Sequence, residues 1–262
     1  MTFTDDYLFK RIMQDSEICK RVLEVLLGEK ITRIVSLKTE KEATLEFFAH
    51  GVRFDVFIEG EDEAIDVEMR LRFAKCRVSL RETSQTYHEK DLALRMKRNH
   101  TQLDLLMMNK NNPAGVAKAT CVIFICTFDP FKRGQPVYSF SWRDDSHPEF
   151  MLGDKSRRIV YNAPAWENCE DEELKAFLRY VALKQASSKL TADLDEAVEF
   201  AKHSTSWRMG YNMIYEAIAQ AKEEGIREDK IETARRALEC GIPADTVAKF
   251  TGLPLDEVRA LL

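Results

Sequence analysis

Asp55 and Glu68 are the residues of this chain whose spacing best suits joint chemistry. They lie in Gly51-Val-Arg-Phe-Asp-Val-Phe-Ile-Glu-Gly60 and in Glu61-Asp-Glu-Ala-Ile-Asp-Val-Glu-Met-Arg70. Val52, Phe54, Val56 and Ile58 alternate in the first segment and Ile65, Val67 and Met69 in the second, with Gly60 and its acidic neighbours between them. A period of two predicts a β-hairpin. If Glu59 pairs with Ala64 across a four-residue loop, counting back along the ladder sets Asp55 opposite Glu68. Opposed residues hold their Cβ atoms about 4.5–5.5 Å apart, and like charges there repel unless a cation lies between them. A divalent cation removes that repulsion. Oxygen-only ligands suit Mg²⁺ or Mn²⁺, which keeps several waters and is completed by substrate phosphate. Asp66, Glu68 and Arg70 share one face of the second strand, so no special backbone is needed. The same pattern also describes a solvent-facing acidic hairpin in a chain that is 32% charged.

Beyond Arg70 the charge reverses. Residues 71–118 hold ten Lys and Arg against four Asp and Glu, a local balance of +6 in a chain whose total is −5. Arg72, Lys75, Arg77 and Arg81 are the nearest cations to the hairpin, placed to contact a phosphate backbone, because such contacts supply the sequence-independent part of nucleic-acid affinity. The alternative is a solvated helix face, since residues 92–108 carry apolar side chains at helical spacing with charges between them.

Around these residues the pattern predicts helices over 6–13 and 17–27, the second stopped by Gly28, then strands over 31–37 and 45–48. Glu24 lies on the second helix, where it could form a surface salt bridge. Val122 to Phe128 is a short apolar run ending at Asp129-Pro130, as expected of a strand buried on both faces of a parallel or mixed sheet. Strands over 136–140 and 157–161 and a helix over 171–183 follow, with Trp142 and Trp166 expected against the core edge.

Composition narrows the function classes. At 262 residues the chain can bury one sizeable α/β core with a small appendage. No run approaches the roughly 20 apolar residues that span a bilayer. The acidic start, with Asp5 and Asp6, is unlike a signal peptide, so a cytoplasmic location is expected. The six cysteines and five histidines show no metal-ligand spacing. No Gly-rich phosphate loop is present.

Asp55, the hairpin and Glu68-Met-Arg70 together resemble the Asp…Glu-x-Lys/Gln signature of PD-(D/E)XK nucleases. The surroundings resemble the recombination-promoting nuclease/transposase-like family of that superfamily. The resemblance rests on Asp6-Tyr-Leu-Phe-Lys10, Leu23-Glu-Val-Leu-Leu-Gly28, Cys121-Val-Ile-Phe-Ile-Cys-Thr-Phe-Asp-Pro-Phe131, Tyr138-Ser-Phe140, Leu152-Gly-Asp154 and Leu174-Lys-Ala-Phe-Leu178, across most of residues 1–185. It implies a central mixed β-sheet flanked by helices and a Mg²⁺- or Mn²⁺-dependent DNA endonuclease linked to recombination or mobile elements. Asp55, Glu68 and Arg70 are then the catalytic residues, with Asp55, Glu68 and Glu24 toward the metal. The chain departs from the family at Arg70, where the superfamily usually carries Lys and this family often Gln. Arginine stays protonated, so it can donate hydrogen bonds and charge but cannot take a proton from water. The family's Gln-bearing helix has two competing counterparts here, one around Gln85 and one around Gln102.

The expected organisation is a nuclease-like α/β domain over 1–185, a helical linker over 186–225 and an all-α tail over 226–262. In the tail, Gly241 and Thr251-Gly252 separate three short helices in a helix-turn-helix-like pattern. Its third helix carries Asp256 and Glu257 with only Arg259, so self-association is favoured slightly over DNA reading. The competing reading for the whole chain is a catalytically weak or inactive nuclease fold that binds nucleic acid or oligomerises through its C-terminal helices.

Overall fold

In a computed structural model, the structure describes residues 1–43, 52–60, 63–70, 92–108 and 118–262. The expected strand over 45–48 and the region around Gln85 lie outside these residues. The described residues fall into two compact units that divide between Arg208 and Met209.

The first unit opens with α1 (Asp6–Ile12) and α2 (Ser16–Leu27). Asp15 caps α2, accepting from the amides of Glu17 and Ile18, and Gly28 ends it at a left-handed φ of 69°, which glycine adopts without a Cβ clash. Strands β1 (Ile34–Ala43), β2 (Val52–Gly60) and β3 (Glu63–Arg70) form an antiparallel meander. Helix α3 (Leu92–Met108) leads to β4 (Ala119–Cys126), and β5 (Val137–Phe140) and β6 (Ser156–Asn162) complete a six-stranded sheet in the order β1-β2-β3-β4-β6-β5. Strand β4 runs parallel to β3 and β6, the other neighbouring pairs are antiparallel, and the sheet is therefore mixed.

The apolar run at β4 explains its place. From Thr120 to Cys126 every residue is buried, with Cys121, Ile123 and Ile125 on one face and Val122, Phe124 and Cys126 on the other. The first face packs beneath α1, α2, α4 (Glu172–Leu183) and α5 (Lys189–His203), through Leu8, Phe9, Leu23, Phe177, Leu194 and their neighbours. The second face packs beneath α3 through Leu92, Met96, Leu103 and Met107. Burial pushes the Cys121 thiol up to about 12, so it acts as a small apolar side chain. The Asp129-Pro-Phe131 block is structural: the Asp129 carboxylate accepts from the amides of Phe131, Lys132 and Gly134 and from the Tyr138 hydroxyl, fastening the turn that enters β5.

Trp166 packs against the core, whereas Trp142 is 56% exposed. Trp142 follows β5, which among the described residues is the edge strand beside β6. Helix α5 buries Leu190, Leu194, Val198 and Ala201 in the larger core cluster, so residues placed by sequence pattern in the linker belong to the first unit.

Helix α6 (Thr205–Glu239) carries the chain into the second unit, where α7 (Ala244–Thr251) and α8 (Leu255–Arg259) follow turns at Gly241 and Gly252. Ala234, Ala237, Val247, Leu253 and Val258 form its core. The first of the three expected tail helices is thus the end of a 35-residue helix. No helix of the described residues is long and apolar enough to cross a membrane.

Phe124 is fully buried at the centre of the sheet. Phe124→Ala is expected to cost about 3–5 kcal/mol of stability, read as a lower urea midpoint.

Candidate functional site

The hairpin register is the one that brings the two acids together. Glu59 pairs with Ala64 and Val56 with Val67, so the next step along the ladder is Asp55 beside Glu68. There the backbone amide of Asp55 donates to Glu68 Oε1 at 3.2 Å. Both side chains are buried, Asp55 at 4% and Glu68 at 0% exposure, and Asp66 is fully buried as well. Three carboxylates therefore lie in the body of the sheet, not on a solvated hairpin face.

Cations and donors from two helices meet them. From α3, Arg95 Nη2 donates to Glu68 Oε2 at 3.0 Å and Asn99 Nδ2 donates to Asp66 Oδ2 at 2.8 Å. From α1, Lys10 Nζ lies 3.4 Å from Asp55 Oδ1 and 2.7 Å from Asp6 Oδ2. Burial pushes the Arg95 guanidinium below its ordinary value, opposed by the charges of Asp55, Asp66 and Asp6. That opposition records how closely the acids surround it.

Lys10, Arg95 and Asn99 were not singled out by sequence reasoning, although a signal was present. Residues 92, 95, 96, 99, 100 and 103 form one stripe of α3, and the apolar positions Leu92, Met96 and Leu103 on it are interleaved with Arg95, Asn99 and His100. Polar residues on the core-facing stripe of a helix require partners, and here those partners are the buried acids.

His100 extends the same face. Its Nε2 and Thr120 Oγ1 are 2.9 Å apart, and Thr120 Oγ1 donates to Asp104 Oδ1 at 2.7 Å, tying α3 to the start of β4. Gln102, one of two candidates for the Gln-bearing helix, is on α3 but outside its buried stripe.

Arg70 closes β3 in register with Cys126. Its side chain lies outside the described residues, as do Arg72, Lys75, Arg77 and Arg81. Glu24 has local partners: its carboxylate pairs with Lys30 at 3.2 Å and accepts from the Ile31 amide at 3.2 Å. Partial burial works to raise the Glu24 carboxyl, but those bonds outweigh it and hold the group below its ordinary value. Glu24 lines an open groove of about 400 Å³ with Arg21, Val25, Lys30 and Lys189.

Among the described residues no group of three or more His, Cys, Asp and Glu side chains is gathered so as to hold a metal ion. Asp55 and Glu68 nonetheless form a donor set of hard oxygens that fits Mg²⁺ or Mn²⁺, which take as few as one or two carboxylates from a protein. In comparisons with protein-family models, curated proteins and solved structures, no family model, curated protein or solved structure matched this chain.

Burial holds His100 below the ordinary histidine value, aided by Arg158 and opposed by Asp104 and Asp154. The unfolded chain therefore takes up a proton as pH falls through about 6.5 while the folded chain resists it. Stability is expected to drop below pH 6.5, by at most about 1.4 kcal/mol per pH unit, and His100→Gln to flatten that slope in denaturation titrations.

Proposed function

We propose that the chain is a metal-dependent endonuclease of the PD-(D/E)XK type, acting on DNA phosphodiester bonds through Asp55 and Glu68. The observation that carries this reading is the buried Asp55–Glu68 pair on adjacent strands, joined by the Asp55 amide at 3.2 Å. Support also comes from the mixed sheet with helices on both faces, the architecture implied by the family resemblance. Asp55 and Glu68 would hold Mg²⁺ or Mn²⁺. A bound divalent cation supplies charge to the scissile phosphate and acidifies water. The chain's own contribution is positional. The hairpin fixes the spacing of the two carboxylates, α3 and α1 fix their orientation, and Arg70 at the end of β3 adds a permanent positive charge for the phosphate.

The ion pairs of Lys10 and Arg95 favour a second reading, a nuclease fold without catalysis that binds nucleic acid or assembles through its C-terminal helices. Charges already neutralised by the protein have less need of a metal.

Purified protein is expected to nick supercoiled plasmid with Mg²⁺ or Mn²⁺ and not with EDTA. Asp55→Asn and Glu68→Gln are expected to lower the rate by at least about 100-fold, since loss of mere outer-shell partners of a metal already costs 10–100-fold. Wild-type protein that cuts with neither metal, or variants that cut equally well, would reject catalysis. Salt-sensitive DNA binding that survives Asp55→Asn would then support the second reading.

A further inference from the structure

Lys10 and Arg95 lie on different helices and converge on the two carboxylates of one hairpin. We propose that they are built-in counter-ions, which hold Asp55 and Glu68 together in the metal-free protein and which a divalent cation must displace or repel in order to bind. The inference rests on the metal-site reading above and adds how loading of that site is controlled.

The argument is one of charge in a confined space. Asp55, Asp66 and Glu68 are buried side by side, and buried carboxylates stay ionised only if cations or strong donors accompany them. Arg95 bonds Glu68 Oε2 at 3.0 Å, and Lys10 stands 3.4 Å from Asp55 Oδ1. A cation ligated by those oxygens must share them with a guanidinium and an ammonium already in contact. Unlike charges at such distances attract strongly in a partly buried site, and like charges repel with equal strength. Each protein cation therefore helps assemble the carboxylates and weakens the site for metal.

Both cations have somewhere to go. The side chain of Arg95 is 25% exposed and that of Lys10 is 11% exposed, so each reaches the surface. Lys10 already has a second acid in Asp6, a partner it keeps when it yields Asp55. Asp66 has a donor of its own in Asn99. Arg95 and Lys10 are positioning residues in this scheme.

Mn²⁺ titration by calorimetry tests the proposal, with wild-type protein, Arg95→Gln and Lys10→Gln. Gln keeps a donor near the carboxylate and removes the charge. The expected result is Mn²⁺ binding at least about tenfold tighter in Arg95→Gln than in wild type, and tighter in Lys10→Gln, both abolished by adding Asp55→Asn. The same variants should gain more in Tm on addition of Mn²⁺ than wild type does, because the metal replaces a lost counter-ion. If Arg95→Gln does not fold, Lys10→Gln reads the effect from a different helix. Folded variants that bind Mn²⁺ equally or more weakly than wild type overturn the counter-ion role while leaving the metal site standing. Absence of Mn²⁺ binding in all three proteins overturns the metal site and the counter-ion role together.

Discussion

Carboxylates cannot be buried alone, and three of those buried in this sheet, Asp55, Asp66 and Glu68, meet two helices. Removing an isolated ionised carboxylate from water costs several kcal/mol even after relaxation, and leaving one partner of a buried pair unmatched costs about 3–5 kcal/mol. The docking of two helices satisfies that requirement. Helix α3 brings Arg95 and Asn99 to Glu68 and Asp66, and α1 brings Lys10 to Asp55. Placement of both helices on the sheet is thus coupled to the charges on β2 and β3 as well as to apolar packing. The electrostatics of the site and the stability of the fold are one problem.

The rest of the first unit serves to keep that arrangement rigid. Strand β4 is apolar on both faces and lies beside β3 along its whole length, so the strand bearing Asp66 and Glu68 is an interior strand with a neighbour on each side. An interior strand cannot slip by one residue without sending every apolar side chain to the wrong face. On one face, α2, α4 and α5 add the larger apolar cluster, and the Tyr161 hydroxyl donates to the Leu26 carbonyl between sheet and helix. On the other, the His100–Thr120–Asp104 set fixes α3 at its far end.

Much of this was legible in the residues. Alternation in 52–58 and 65–69 and the turn at Gly60 led to the observed Glu59–Ala64 register, because strand periodicity leaves few alternatives once a loop length is chosen. The unbroken apolar run led to β4, and helical spacing led to α3 with the observed bounds. What escaped was the direction from which charges arrive. Lys10 and Arg95 are remote in sequence from the acids they meet, and a basic helix looks the same whether its cations face solvent or a buried acid. Arg95 and Asn99 could have been found by asking which polar residues sit on the apolar stripe. The exposure of Trp142 escaped because aromatic size suggests burial, while the edge position of β5 decides otherwise.

The meander has a consequence for the order of folding. Strands β1, β2 and β3 pair with near neighbours in sequence, whereas β4 reaches β3 only after a long crossover and Lys10 must return from the start of the chain. Local antiparallel pairing is fast and long-range parallel pairing is slow. A hairpin that pairs first opposes two negative charges before either counter-ion is in place. A hairpin paired ahead of them is held by its apolar positions and its turn alone.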